Sequence, residues 1–375
     1  MRIISLVRVA PLVAALGVAC QNDGLMAPRA AAPPALTARA SLLPIDVLGS
    51  NHVPPGQACN SAGYHQFDFW VGNWDVRGPT GGLAGTNVVK SLLDGCVVEE
   101  NWTGAGGGFG RSLNFYDAAS GTWSQMWVAS SGCPNGIIIV EGKFEDGAMT
   151  MRGRKVQPAG FLHGPPCAAP PGFTTFARNT LIRWTPLESV SVLQQFTASS
   201  NDAPLPLPPP ATPTAGLLYI RVATVTPLNP PDPSFCPTSV AAHQFDFMIG
   251  SWDVHQGNGN GSQGTVTYSK SMHDCLIEEH LRGPGKYEGL SYNSFDPYTQ
   301  MWHRTYLDTD GTRLLLAGKL VDGSMVLSGP KQGAPGDSLR VTWIPDGANR
   351  VVQRWEVSHG GADWSNAREL VYTRQ

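Results

Sequence analysis

Two segments of the chain, 96–102 and 275–281, each place a pair of consecutive glutamates a few residues after a cysteine. In a β-strand successive side chains point to opposite faces, so each pair gives one glutamate to each face. The face that carries Glu100 and Glu279 is the more apolar one in both segments, and it should point inward. A buried carboxylate needs a partner, a ligand or water, and its pKa can rise. The sequence therefore predicts two interior carboxylates, which either hold strands together or orient, or exchange protons with, a bound molecule.

Other polar side chains fall on apolar strand faces. Gln194 and Gln353 each share a face with an aromatic residue, and Asn114 and Asn293 occupy matching positions on another strand. A few polar groups in an apolar cavity are typical of a small-molecule site, although the same groups could satisfy one another in a filled core. The residues predicted to bind a small apolar ligand are Glu100, Glu279, Gln194, Gln353, Asn114, Asn293, Trp123 and Trp302.

No catalytic residue can be assigned from motifs. The sequence has no G-x-S-x-G nucleophile motif and no H-E-x-x-H zinc motif, and the glycine-rich segment 104–108 lacks the lysine of a phosphate-binding loop. Of the nine histidines, only His65 and His243 occupy equivalent positions in a repeat described below. We predict no metal and no cofactor, and the sequence leaves open whether the protein is an enzyme.

Composition favours strands and turns over long helices. The 375 residues include 43 Gly, 31 Pro and 11 Trp, and only 15% are charged. The formal charge is −3 and the basic residues do not cluster, which argues against nucleic-acid binding. This length suits about two domains.

An internal duplication organises the chain. Residues 65–76 return as 243–254 with nine of twelve positions identical, and the register persists, with small gaps, to the end of the chain. We read two copies of one domain, 59–226 and 236–375, joined by the proline-rich linker 227–235. Each copy contains about eight to ten short runs of β-branched and aromatic residues separated by turn signals. This pattern predicts an all-β protein of two tandem antiparallel up-and-down β-barrels.

The repeat opens on Gly72-Asn73-Trp74 in the first copy and on Gly250-Ser251-Trp252 in the second. These triplets resemble the G-x-W signature of lipocalins and other calycins, and the whole repeat resembles a widespread bacterial domain of unknown function. The resemblance implies a lipocalin-like barrel and brings no established activity. It also implies that an arginine of the last strand covers each tryptophan, Arg221 over Trp74 and Arg374 over Trp252.

Seven cysteines are explained by the duplication. Cys59 and Cys96 match Cys236 and Cys275, which predicts one disulfide in each copy. Cys133 and Cys167 lie in segments that only the first copy has, and we predict that they pair with each other. Three disulfides would indicate an oxidising compartment. Close C-x-x-C spacing, which a zinc site would need, is absent.

The single remaining cysteine, Cys20, ends an apolar run that follows two arginines. We interpret residues 1–20 as an export signal, because the 11-residue run is too short to span a bilayer. The run resembles a bacterial lipoprotein signal with Cys20 as the lipid-modified residue, and conventional cleavage after Ala19 is the alternative. Residues 21–58, rich in Ala and Pro, suit a flexible tether.

These observations predict an exported protein, periplasmic or at the cell surface and held by an N-terminal lipid, whose two barrels each bind a small apolar ligand. An enzyme that uses Glu100 or Glu279 as general acid or base is one alternative. A surface scaffold with filled barrels is the other.

Overall fold

The computed structural model describes residues 59–130, 137–158, 175–199, 205–208, 212, 216–229, 236–257, 261–297 and 299–375. Ten strands belong to the first copy: β1 (Gly72–Arg77), β2 (Leu83–Leu92), β3 (Val97–Gly104), β4 (Phe109–Asp117), β5 (Thr122–Ala129), β6 (Ile138–Glu145), β7 (Ala148–Pro158), β8 (Thr175–Glu188), β9 (Ser191–Ala198) and β10 (Leu217–Arg221). Ten belong to the second: β11 (Gly250–Gln256), β12 (Ser262–Ser271), β13 (Leu276–Arg282), β14 (Glu288–Asp296), β15 (Met301–Asp308), β16 (Arg313–Val321), β17 (Ser324–Pro330), β18 (Ser338–Pro345), β19 (Arg350–Ser358) and β20 (Ser365–Arg374).

Each set of ten strands forms a closed antiparallel barrel. Every strand pairs with its neighbours in sequence, and closure comes from the first strand pairing with the last, β1 with β10 and β11 with β20. The predicted fold class, two tandem up-and-down barrels, is confirmed, with ten strands in each. Closure leaves no unpaired sheet edge, which removes the main route to strand-to-strand aggregation.

The helices of the described residues are all single 3-10 turns: Ala62–His65, Asp68–Trp70, Leu93–Gly95, Cys236–Thr238, Val240–His243 and Asp246–Met248. Within the described ranges, no helix has the length and apolar character needed to cross a membrane.

One end of each barrel is closed by the chain that precedes its first strand. In the first barrel Phe67 and Trp70 are fully buried there and stack with ring centroids 4.9 Å apart. Trp184 of β8 completes the aromatic cluster, 5.3 Å from Phe67. In the second barrel Phe245 lies 5.3 Å from Trp343 in the equivalent arrangement. This end is therefore a packed apolar plug in both copies.

An arginine holds each plug against the barrel. The Arg221 guanidinium lies 4.3 Å from the Trp74 ring centre and donates to the carbonyls of Val71 and Phe69 at 2.7 and 3.2 Å. Gly72 is required beside it, because its φ is 150° and a Cβ there would lie 2.2 Å from an Arg221 nitrogen.

The second barrel has the same closure. Arg374 lies 4.2 Å from the Trp252 ring centre and donates to the carbonyls of Ile249 and Phe247. The two contacts are those that the sequence predicted, and they are structural.

A disulfide ties the preceding segment to β3 and β13. Cys59 bonds to Cys96 and Cys236 to Cys275, with Cα separations of 5.0 and 5.1 Å. These are two of the three predicted bridges, and they indicate an oxidising compartment. Cys133, Cys167 and Cys20 lie outside the described residues.

The two barrels pack side by side through the outer faces of their third to fifth strands. The Tyr292 hydroxyl donates to Glu99 at 2.6 Å, and Arg111 pairs with Glu278. Glu99 and Glu278 are the members of the glutamate pairs that point out of their barrels, and only 8% and 7% of their surfaces are exposed. Apolar residues of both copies, including Leu113, pack around this polar contact in one continuous cluster.

Candidate functional site

Glu100 lies inside the first barrel, near the middle of β3, with 2% of its surface exposed. Its two oxygens accept hydrogen bonds from neutral groups. The Asn87 amide of β2 donates to Oε1 at 2.7 Å, and the Ser112 hydroxyl of β4 donates to Oε2 at 2.8 Å. Among the described residues, no lysine, arginine or histidine pairs with this carboxylate.

Burial raises the pKa of Glu100 from its ordinary value of 4.5 to about 7, although the hydrogen bonds from Ser112 and Asn87 oppose the rise. An ionised carboxylate loses its hydration when it is buried, and no counter-charge replaces it here. The side chain is therefore able to gain or lose a proton near neutral pH.

A network of neutral polar groups surrounds Glu100. The Gln125 amide of β5 donates to Asn114 Oδ1 at 2.8 Å and to the Ser112 hydroxyl at 3.3 Å. On the other side, the Tyr219 hydroxyl of β10 donates to Gln194 Oε1 at 3.1 Å and lies 3.5 Å from the Asn87 amide. Burial raises the pKa of the Tyr219 phenol well above its ordinary value, so this hydroxyl stays neutral.

The side-chain oxygen of Asn87 takes no part in these hydrogen bonds. The residue is fully buried, and its Oδ1 has no hydrogen-bond partner among the described residues. A buried unpaired carbonyl is costly, so this atom is available to a donor that enters the barrel.

Aromatic side chains line the first barrel beyond Glu100, toward the end opposite the plug. Trp102 and Trp127 share the inward faces of β3 and β5, and both are partly buried. Trp102 packs over Gly85 and Trp127 over Gly110, since a Cβ on either glycine would lie within 2.5 Å of the ring. Phe196 of β9 has an inward register, two residues from Gln194, yet 58% of its surface is exposed. Among the described residues at this end of the first barrel, Phe196 is thus exposed to solvent, and Trp102 and Trp127 lie partly buried behind it.

The equivalent carboxylate of the second barrel is neutralised by the protein itself. Arg304 of β15 pairs with Glu279 at 2.5 Å, and both side chains are 3% exposed. Arg304 also donates to Ser291 and Asn293, at 2.7 and 2.9 Å, and Ser291 donates to Glu279 at 2.6 Å. Arg304 stands where the first barrel has Gln125, since each pairs across the sheet with the equivalent asparagine.

The end of the second barrel opposite the plug is filled. Tyr287 is 7% exposed and its hydroxyl contacts the Tyr306 hydroxyl at 2.9 Å and Asp308 at 2.7 Å. Arg368 donates to Gln263 at 2.7 Å. A further network holds Gln353, whose Oε1 accepts from Trp355 at 2.9 Å and from Tyr372 at 3.1 Å.

The cavity left beside Glu279 has a volume of about 30 Å³ and is also lined by Gln353. This is room for one or two water molecules, far below the several hundred Å³ of a typical ligand site.

The other predicted binding residues make hydrogen bonds within their own barrels. The Trp123 indole donates to Gln66 at 3.2 Å and packs against Phe67 in the plug, and Trp302 makes the matching bond to Gln244. Asn114 and Asn293 are buried and donate to strand carbonyls, those of Val98 and Ile277, at 2.8 and 3.1 Å. Of the predicted set, the first barrel brings together Glu100, Gln194 and Asn114, and the second brings together Glu279, Gln353 and Asn293.

Strand parity identified Glu100 and Glu279 but missed the residues that make them different. The signal for Gln125 and Arg304 was present, because they occupy matching positions of the two copies and differ in charge. Asn87 gave no comparable signal, since its counterpart is Val266.

A wide groove of about 930 Å³ between the barrels is a separate feature. Asp117 and Arg313 line it and pair with each other. These two charges are thus already paired. In the part of the chain that the structure describes, no group of three or more His, Cys, Asp or Glu side chains is placed to hold a metal ion.

Comparison with known proteins adds little to this picture. No model of a known protein family matches the sequence, and no protein with a curated description does. Among solved structures, the chain is similar to a protein of unknown function of the DUF3598 family from Nostoc punctiforme PCC 73102. The identity is 11%, the match covers 84% of this chain and all of that one, and the TM-score is 0.22. A likeness this weak carries no argument about function.

Proposed function

We propose that the first barrel binds a small molecule through Glu100 and that the second barrel is a closed structural partner. The observation that carries the proposal is the contrast between the two interior carboxylates. Glu279 has a cation at 2.5 Å, whereas Glu100 has only neutral donors among the described residues. A carboxylate buried without a counter-charge lowers the stability of the fold. A role in ligand binding explains why the barrel has one.

Side-chain sizes beside Glu100 support this assignment. The positions of Tyr268 and Arg304 in the second barrel are held by Val89 and Gln125 in the first, and both replacements are smaller. An eight-stranded barrel already encloses enough space for one small ligand when it is not filled, and ten strands enclose more. From these smaller residues we infer room for a ligand next to the carboxylate, below the aromatic wall of Trp102 and Trp127.

Phe196 supports an entrance at the end opposite the plug. Its counterpart Trp355 is 4% exposed and bonded to Gln353, whereas Phe196 is 58% exposed. We take this difference in exposure between equivalent positions as the mark of an entrance to the polar interior of the first barrel. We propose that this barrel binds its ligand as lipocalins do, in an exported protein held at a membrane through Cys20.

Dye binding tests the proposal. The full chain is titrated with the uncharged dye N-phenyl-1-naphthylamine, and we expect saturable fluorescence enhancement with one dye per chain. Phe196→Asp places a charge at the entrance and should weaken binding. Val190→Asp is the matched control, because Val190 is 51% exposed at the opposite end of the same barrel. Two dyes per chain, or equal loss in both variants, would contradict the proposal.

A second candidate function is proton transfer by Glu100 to or from a bound substrate. The pKa of about 7 favours it, because a general acid or base works best near the ambient pH. The test is to recover a ligand retained by the purified chain and to incubate it with fresh protein. Return of the unchanged molecule indicates binding alone, whereas conversion that Glu100→Gln abolishes indicates an enzyme.

A further inference from the structure

We propose that the ligand of the first barrel is an organic amine, bound as a cation with its ammonium group at Glu100 and its apolar part against Trp102 and Trp127. The inference rests on the proposed binding function and deepens it by naming the chemical class of the ligand.

The second barrel shows what the carboxylate position requires. There the Arg304 guanidinium contacts Glu279 and, through the same group, the Ser291 hydroxyl and Asn293 Oδ1. One cation with several N–H donors thus satisfies a carboxylate and two neutral acceptors.

The first barrel keeps those acceptors and lacks the cation. Glu100, Ser112 and Asn114 correspond to the three groups that Arg304 contacts, and Gln125 replaces the arginine. Gln125 carries no charge. Its amide donates hydrogen bonds to Ser112 and Asn114 and makes no hydrogen bond to Glu100. A protonated amine supplies the missing charge and N–H donors, and Asn87 Oδ1 is a further buried acceptor for them.

Trp102 and Trp127 supply the second half of the recognition. Leu281 and Tyr306 hold these positions in the second barrel, so the first barrel has the larger aromatic faces beside the position where its cation is missing. Tryptophan is the aromatic side chain that attracts cations most strongly through its ring face. The second barrel offers an amine no unpaired glutamate at this position, since Arg304 already neutralises Glu279.

Among the described residues that face the interior here, Glu100 is the one acid. The residues that surround it on the neighbouring strands are neutral. They are Asn87 and Val89 of β2, Ser112 and Asn114 of β4, Gln125 of β5, Gln194 of β9 and Tyr219 of β10. The described inward residues of β6 to β8 opposite are apolar at Val140, Met151 and Ile182. Tyr219 is the only other titratable group in this set, and it stays neutral. Amine binding should therefore follow the ionisation of Glu100.

The experiment compares three probes of equal shape as competitors for the bound dye: 4-phenylbutylamine, 4-phenylbutan-1-ol and 4-phenylbutyrate. At pH 8 we expect the amine to displace the dye about 10- to 100-fold better than the alcohol, the range of a charge-assisted hydrogen bond, and the acid to fail. Below pH 7 the preference should fall about tenfold per pH unit, because a proton then competes with the amine.

Two variants check that Glu100 is responsible. Glu100→Gln should remove the preference, so that the amine and the alcohol displace the dye equally well, and Gln125→Arg should remove it by supplying the cation internally. An alcohol that competes as well as the amine on the wild-type chain overturns the ligand class while the binding function stands. Failure of the dye itself to bind overturns the binding function. An amine preference that survives Glu100→Gln in a folded protein overturns the site.

Discussion

The two barrels share their strand order, plug and disulfide, and they differ in how they treat one interior carboxylate. In the second barrel Arg304 neutralises Glu279 directly. In the first, Gln125 stands at that position and Glu100 keeps only neutral donors among the described residues. The duplication thus provides an internal control, in which the same acid has a counter-charge in one copy and, among the described residues, only neutral hydrogen-bond donors in the other.

The barrel ends opposite the plugs show the same contrast, because the described residues fill the second barrel there and leave an aromatic side chain exposed in the first. Tyr287, Tyr306 and Asp308 fill the second barrel with a hydrogen-bonded cluster, and Trp355 is buried beside it. The first barrel instead exposes Phe196. The second barrel has a filled core. Among its described residues, the first barrel has buried polar groups that are free to bond a ligand, such as Asn87 Oδ1.

The largest effect should come from breaking the ion pair of the second barrel. Arg304→Gln leaves Glu279 buried without a cation, and we expect the chain to lose about 3 to 5 kcal/mol of stability toward chemical denaturation at pH 8. Arg354→Gln is the control, because it removes an exposed pair with Glu369 in the same barrel and should cost less than about 1 kcal/mol. Equal effects of the two variants would show that Glu279 does not depend on Arg304.

The next effect concerns Glu100 and has the opposite sign. Because the folded-state pKa is raised from 4.5 to about 7, folding binds a proton, and the carboxyl costs no stability below pH 4.5 but up to about 3 kcal/mol once pH exceeds 7. Glu100→Gln removes this cost, since Asn87 can rotate its amide to accept from the new Nε2. We expect the variant to be more stable than the wild type at pH 8 and about equal at pH 4, measured by urea unfolding. A variant that is less stable at pH 8 would contradict the assignment.

The smallest effect tests the aromatic wall. Trp102→Leu installs the residue that the second barrel has at this position, and it should weaken binding of 4-phenylbutylamine about 3- to 30-fold. Stability should change little, because Trp102 is only partly buried. Isothermal titration measures the change, and Trp364→Leu, which removes a tryptophan stacked on Arg340 in the other barrel, serves as the control. Unchanged affinity in Trp102→Leu would place the ligand elsewhere.

Much of the fold could be read from the sequence because the duplication doubles every local signal. Strand parity placed Glu100 and Glu279 inside, and paired cysteines gave the disulfides at Cys59 and Cys236. Parity could not show that Glu99 and Glu278, which point outward, would be buried between the barrels, since that depends on how two finished barrels pack.

The roles of single residues were harder to read. Trp123 and Trp302 lie on inward faces as expected, but their position along the strand puts them in the plug. The charge difference between Gln125 and Arg304 is visible in the sequence, yet its meaning appears only when the strands bring each residue to its carboxylate. Distance along a strand and across a barrel is a tertiary property, which a periodic pattern does not encode.

The most direct test of the account follows the ionisation of the glutamates themselves. In the full chain labelled with ¹³C at the glutamate side-chain carboxyls, NMR spectra are recorded from pH 4 to pH 9 without ligand. We predict one carboxyl with a midpoint near pH 7, absent in Glu100→Gln and moved to lower pH in Gln125→Arg. If every glutamate instead titrates below about pH 5, Glu100 is an ordinary satisfied carboxylate. The proposed difference between the two barrels would then be wrong.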